Sequence, residues 1–157
     1  MKKLLLCLGT LAAAVMFCGC SSAKNVEGSL IDLMAKIYDG VNTSGVINMT
    51  TAITPDMEES RIEHNLGTAN IKFTDALVSE PVISSHAHAI VLIRASDSEN
   101  IPALMNRIRE SNIGWKWICV GVNKDEVIVD NIGNLVVVII DKNNSQAFHD
   151  NFKKLAK

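Results

Sequence analysis

The run Leu135-Val136-Val137-Val138-Ile139-Ile140 constrains this chain more than any other segment, because its six apolar residues leave no polar alternation. It is predicted to be a strand in the middle of a sheet. The loop Asp130-Asn131-Ile132-Gly133-Asn134, with a glycine available for positive φ, joins it as a hairpin to a strand over 126–129. Further strands are expected over 82–94 and 116–122, with an extended region over 69–78 broken at Pro81. Strict period two in 82–94 puts Ser84, His86, His88, Ile90, Leu92 and Arg94 on one face. Ile83, Ser85, Ala87, Ala89, Val91 and Ile93 lie on the other.

Helical stripes separate these strands. The first, over 28–41, carries Leu30, Leu33, Met34, Ile37 and Val41. A second is opened by Thr54 as N-cap and Pro55 at the first helical position, and Gly67 stops it. A third follows Asp97-Ser98 with Ile101, Leu104, Met105 and Ile108, and the last, from 145, buries Phe148, Phe152 and Leu155. Hairpin-linked strands with helices between and after them predict an α+β fold. The expected architecture is an antiparallel sheet of about four or five strands with helices packed mainly on one face.

The chain begins with Met1-Lys2-Lys3, an apolar run over 4–17, and then Cys18-Gly19-Cys20. That run holds 14 residues, short of the roughly 20 needed to cross a bilayer. A basic start, an apolar stretch and a small residue before the cut are the parts of a signal peptide. Cleavage before Cys20 places Gly19 at the small-residue position, whereas cleavage before Cys18 would place Phe17 there. The segment resembles the lipobox of bacterial lipoproteins, with Cys18 at a position usually Ala, Ser or Thr and Phe17 in place of Leu. Residues 1–19 are thus expected to be removed, Cys20 to be acylated, and 20–27 to tether a single domain over 28–157 at the outer face of the cell membrane. The competing readings are an ordinary secretory signal and an uncut membrane anchor.

This processing changes the cysteine count. Cys7 and Cys18 leave with the signal and Cys20 carries lipid, so Cys119 is the one remaining thiol and no intramolecular disulfide is possible. It also removes two of the 15 basic residues against 17 acids, leaving a formal charge of −4. Without a basic stripe, nucleic acid is not an expected partner.

Three sets of residues invite a functional reading. His86 and His88, at i and i+2, would share a strand face as a metal pair does, but a zinc site needs three or four ligands and none is in view. Cys119 would need a nearby base to act as a nucleophile; inside Trp117-Ile118-Cys119-Val120 it reads as a small buried hydrophobe. Trp115 and Trp117 alternate on one strand face, either covering the core or binding a glycan or resting at a membrane interface. The acids Asp56, Glu58, Glu59 and Glu63 fit a solvated helix face. No phosphate loop, nucleophile elbow or ordered triad is present, so no cofactor and no enzymatic activity are expected.

Several segments together carry a resemblance. They are the lipobox at Cys20, the break at Pro81, the strand over 87–94, the stretch Lys116-Trp117-Ile118-Cys119-Val120-Gly121-Val122 and the hairpin Asn131-Ile132-Gly133-Asn134-Leu135-Val136. They resemble a domain-of-unknown-function family of small lipoproteins from anaerobic Gram-positive bacteria. The resemblance implies an α+β extracytoplasmic domain and brings no site residues. The leading expectation is a non-enzymatic domain that binds a protein or envelope partner. The alternative is a domain that binds a small ligand or a metal, and a Cys119 hydrolase comes third.

Overall fold

The structure, a computed structural model, describes residues 25–43, 48–83 and 85–157. The signal segment and Cys20 lie outside them. Among the described residues the fold is α+β: a five-stranded, wholly antiparallel sheet and four α-helices. In chain order the elements are α1 (Leu30–Tyr38), β1 (Asn48–Ile53), α2 (Glu59–Leu66), β2 (Phe73–Pro81) and β3 (His88–Ala95). They continue with α3 (Ile101–Glu110), β4 (Ile128–Ile132), β5 (Leu135–Asp141) and α4 (Ser145–Lys154).

The strand order is β1-β2-β3-β5-β4, so β5 lies between β3 and β4 and its apolar run is interior, as expected. Residues Leu135 to Ile140 are all buried. Such a strand demands cover on both faces, and both receive it. Val136, Val138 and Ile140 join Ala89, Val91 and Ile93 against Ile62 and Leu66 of α2 and Leu104 and Ile108 of α3. Leu135, Val137 and Ile139 join Ile90 and Leu92 against Leu33 and Ile37 of α1 and Phe148 and Phe152 of α4. The helices therefore sit two on each side rather than mainly on one. At about 25 cal/mol per Å² of apolar surface, neither face of β5 is left in water.

Local differences have local causes. Thr54 and Pro55 do not open α2: the Thr54 hydroxyl bonds the Asp56 carboxylate and Met57 N–H bonds the Thr54 carbonyl, closing a turn. The helix then starts at Glu59, and Gly67 ends it in the left-handed region as expected. Asn100, not Asp97 or Ser98, caps α3, its side chain accepting from Ala103 N–H at 3.1 Å.

The stretch over 116–122 is not a strand. Val122 N–H bonds the Gly114 carbonyl at 2.8 Å, closing 114–122 into a loop of the Ω type that carries no ladder. Glycine is required at the closure, since a Cβ on Gly114 would lie 2.3 Å from the Val122 carbonyl oxygen. One charge fastens this loop to β2. The Lys116 ammonium, its side chain only 3% exposed, approaches Glu80 Oε2 at 2.7 Å, though off the hydrogen-bonding direction. It also lies 5.6 Å from the Trp117 ring centre.

The two ends of the sheet differ. At the end where β3 finishes, Arg94 donates to the carbonyls of Val26 and Gly28, both at 2.8 Å, and Asn134 N–H donates to the Asn25 side chain at 3.1 Å. The start of the described chain is thereby held there. At the other end β3 begins with His88, paired across the ladder with Asp141 at the end of β5.

Candidate functional site

A polar row crosses the His88 end of the sheet beneath α1 and α4. Asn48, Ser79, His88 and Asp141 come from β1, β2, β3 and β5, and Tyr38 closes over them from the last residue of α1. His88 Nδ1 lies 2.7 Å from Asp141 Oδ2, and His88 Nε2 lies 2.7 Å from Tyr38 Oη. The network assigns the tautomer: a carboxylate accepts only, so Nδ1–H donates to Asp141 and neutral Nε2 accepts the Tyr38 hydroxyl. Ser79 Oγ lies 3.0 Å from the same phenolic oxygen, and Asn48 Nδ2 donates to it at 3.4 Å. The Phe148 ring packs edge-on against Tyr38, with centres 5.1 Å apart, and lies 5.4 Å from the His88 ring.

Burial governs the electrostatics. It pushes the Tyr38 phenol up to about 12; the Ser79 hydrogen bond partly offsets this and the Asp141 charge adds to it. For Asp141 burial works in the same upward direction, but hydrogen bonds from His88 and from the backbone N–H groups of Asn144 and Asn143 outweigh it. Together with the electrostatic pull of the His88 N–H they hold the carboxyl below its usual range. Those N–H groups donate to Asp141 Oδ1 at 2.5 and 2.7 Å, so both carboxylate oxygens are engaged.

Above this row lies an open pocket of about 380 Å³. Its floor is His88 and Asp141, one wall is the β2–β3 turn with Ser85 and His86, and another is the Ω-loop with Trp115, Cys119 and Gly121. Residues 142–144 complete the rim with Thr43.

The pocket brings together His86, His88, Trp115 and Cys119, but not in the arrangement their spacing predicts. The strand begins only at His88, so Ser85–Ala87 is a turn, and His86 stands exposed while His88 is buried. The two imidazoles therefore do not present a shared face. Among the described residues no three of His, Cys, Asp or Glu stand close enough to hold a metal ion. Cys119 is exposed rather than a buried hydrophobe, because the loop turns outward there. Trp115 and Trp117 do not alternate on a strand: Trp117 packs on the core and Trp115 is 55% exposed at the pocket wall.

Chemically, His88 has both ring nitrogens committed to protein partners and offers no free lone pair for proton abstraction. Among the described residues Cys119 has no hydrogen-bonded base. What remains is a rigid polar floor beside a flat aromatic wall, which suits binding. Sequence reading missed Tyr38 and Asp141. Their signals were slight: the only tyrosine of the chain, at a helix end, and the first acid after the apolar run of β5. No family model, curated protein or solved structure matches the chain.

Proposed function

We propose that this chain is a lipid-anchored extracytoplasmic domain that binds an envelope component through the pocket beside His88 and performs no chemistry on it. One observation carries the reading: the pocket opens at the end of the sheet opposite the one that holds the start of the described chain. β5 spans seven residues between those ends, about 20 Å at a strand's rise. Cys20 precedes Asn25 by five residues, a reach of at most about 18 Å. An acylated Cys20 keeps the Arg94 end near the bilayer and turns the pocket outward. The commitment of both His88 nitrogens supports binding over catalysis.

The test uses the single thiol of the mature chain. In intact cells a membrane-impermeant maleimide is expected to label Cys119, and Cys119→Ser to abolish the label. Cys20→Ser is expected to move the protein out of the membrane fraction. Labelling only after lysis would refute the outward placement, and unchanged fractionation of Cys20→Ser would refute the anchor.

A further inference from the structure

We propose that the pocket takes a saccharide, with one pyranose ring stacked on the open face of the Trp115 indole; the inference rests on the binding role proposed above. Trp115 is exposed yet seated. A Cβ on Gly121 would lie 2.4, 2.5 and 2.9 Å from Cδ2, Cε3 and Cε2 of the indole. The ring thus lies with one face against the bare backbone of Gly121, a seat that any side chain would fill. Its other face is open to the pocket, since more than half of the residue is exposed. Loop closure at Gly114 and the buried Lys116 next to it hold the indole in that pose before any ligand arrives. A preset ring loses little conformational freedom on binding.

The groups around the indole choose the class of ligand. A flat apolar face flanked by hydrogen-bonding groups matches a pyranose, which presents C–H groups on one face and hydroxyls at its edges. His86 Nδ1 is 2.9 Å from Ser85 Oγ, and its Nε2 has no partner among the described residues. His86 and the Asn143 amide stand at the rim, where ring hydroxyls would sit. Charge argues against a phosphorylated ligand. Asp141 at the floor is answered by His88 and two backbone N–H groups, and Lys142 is the one lysine or arginine of the rim among the described residues. A membrane-interface role for Trp115 fits poorly, because the anchored end of the domain lies across the sheet.

Chitotetraose and cellotetraose, titrated into the detergent-solubilised full chain, test this by tryptophan fluorescence and calorimetry. Saturable binding of at least one is expected, with a change in indole emission. Trp115→Ala is expected to weaken it about tenfold or more, Trp115→Phe to retain part of it, and Gly121→Ala to weaken it by displacing the ring. Far-UV circular dichroism and urea midpoints establish that each variant is folded. Absence of saturable binding to both sugars, or binding indifferent to Trp115→Ala in folded protein, would overturn the proposal. If Cys119 is labelled in intact cells while neither sugar binds, the ligand class fails and the outward pocket stands. Should Cys119 stay unlabelled, the placement fails whatever the sugars do.

Discussion

Two apolar stretches of this chain look alike in sequence and end in opposite places. Leu135 to Ile140 and Lys116 to Val122 are both rich in β-branched residues, and both read as strands. The first is wholly buried between β3 and β4. The second has no ladder partner and closes on itself, with Ile118 and Cys119 in solvent. The difference is one of backbone hydrogen bonds. Both edges of β5 are taken by antiparallel neighbours, whereas the second stretch satisfies its ends within the loop through Gly114 and Val122. Apolar content alone does not make a strand; an available edge does.

The contrast breaks most readily by truncation. Ile139→Ala is expected to lower the urea-unfolding free energy by about 2–5 kcal/mol, since it opens a cavity between α1, α4 and the sheet. Ile118→Ala is expected to stay within about 0.5 kcal/mol of the parent. Equal losses at the two positions would mean that 116–122 is packed like a core strand.

Each stretch is also pinned by charge, and the pins differ in strength. Lys116→Ala leaves Glu80 facing a half-buried site alone and is expected to cost about 2 kcal/mol. Lys116→Met with Glu80→Gln is expected to cost less than the single change, because no charge is stranded. A double variant as costly as the single or worse would show that a stranded Glu80 charge is not what the single change costs.

The pin of β5 reports in pH. Tyr38 is the only tyrosine, so absorbance at 295 nm follows it alone, and its midpoint is expected near 12 rather than 10. Because the folded value is raised, the stabilisation is complete below about pH 10 and is lost as pH climbs towards about 12. After allowance for partial solvent contact this loss is about 1–2 kcal/mol, and Tyr38→Phe is expected to lack it. Asp141 acts with the opposite sign: its folded value is depressed, so its contribution holds above the ordinary carboxylate value. It fades as pH falls below about 4, and Asp141→Asn removes that acid dependence. A tyrosinate midpoint near 10 would mean that the row beneath the pocket is open to water.

Much of the body was legible because its signals are local. The stripe of Leu30, Leu33, Met34 and Ile37, the stop at Gly67, the hairpin at Gly133 and the buried Phe148 and Phe152 all appear where periodicity places them. The uninterrupted run of β5 even carried the demand for helices on both faces, a consequence the count of strands and helices alone did not reveal. The site was less legible. His86 and His88 keep their spacing, but the chain turns between them. Tyr38 and Asp141 are 103 positions apart and meet only across α1 and the sheet.

The sequence alone therefore determined the segments: the apolar stripes of the helices, the interior run of β5, the stop at Gly67, and that the mature chain has one free thiol if Cys20 is acylated. Only the tertiary structure decided that one apolar run pairs and another loops out. It also decided that an exposed indole faces a pocket and that a histidine is sealed by a tyrosine and an aspartate. The physical reason is range. Hydrophobic period and capping are read within a few residues, while pairing edges and the meeting of distant polar groups depend on where the whole backbone turns.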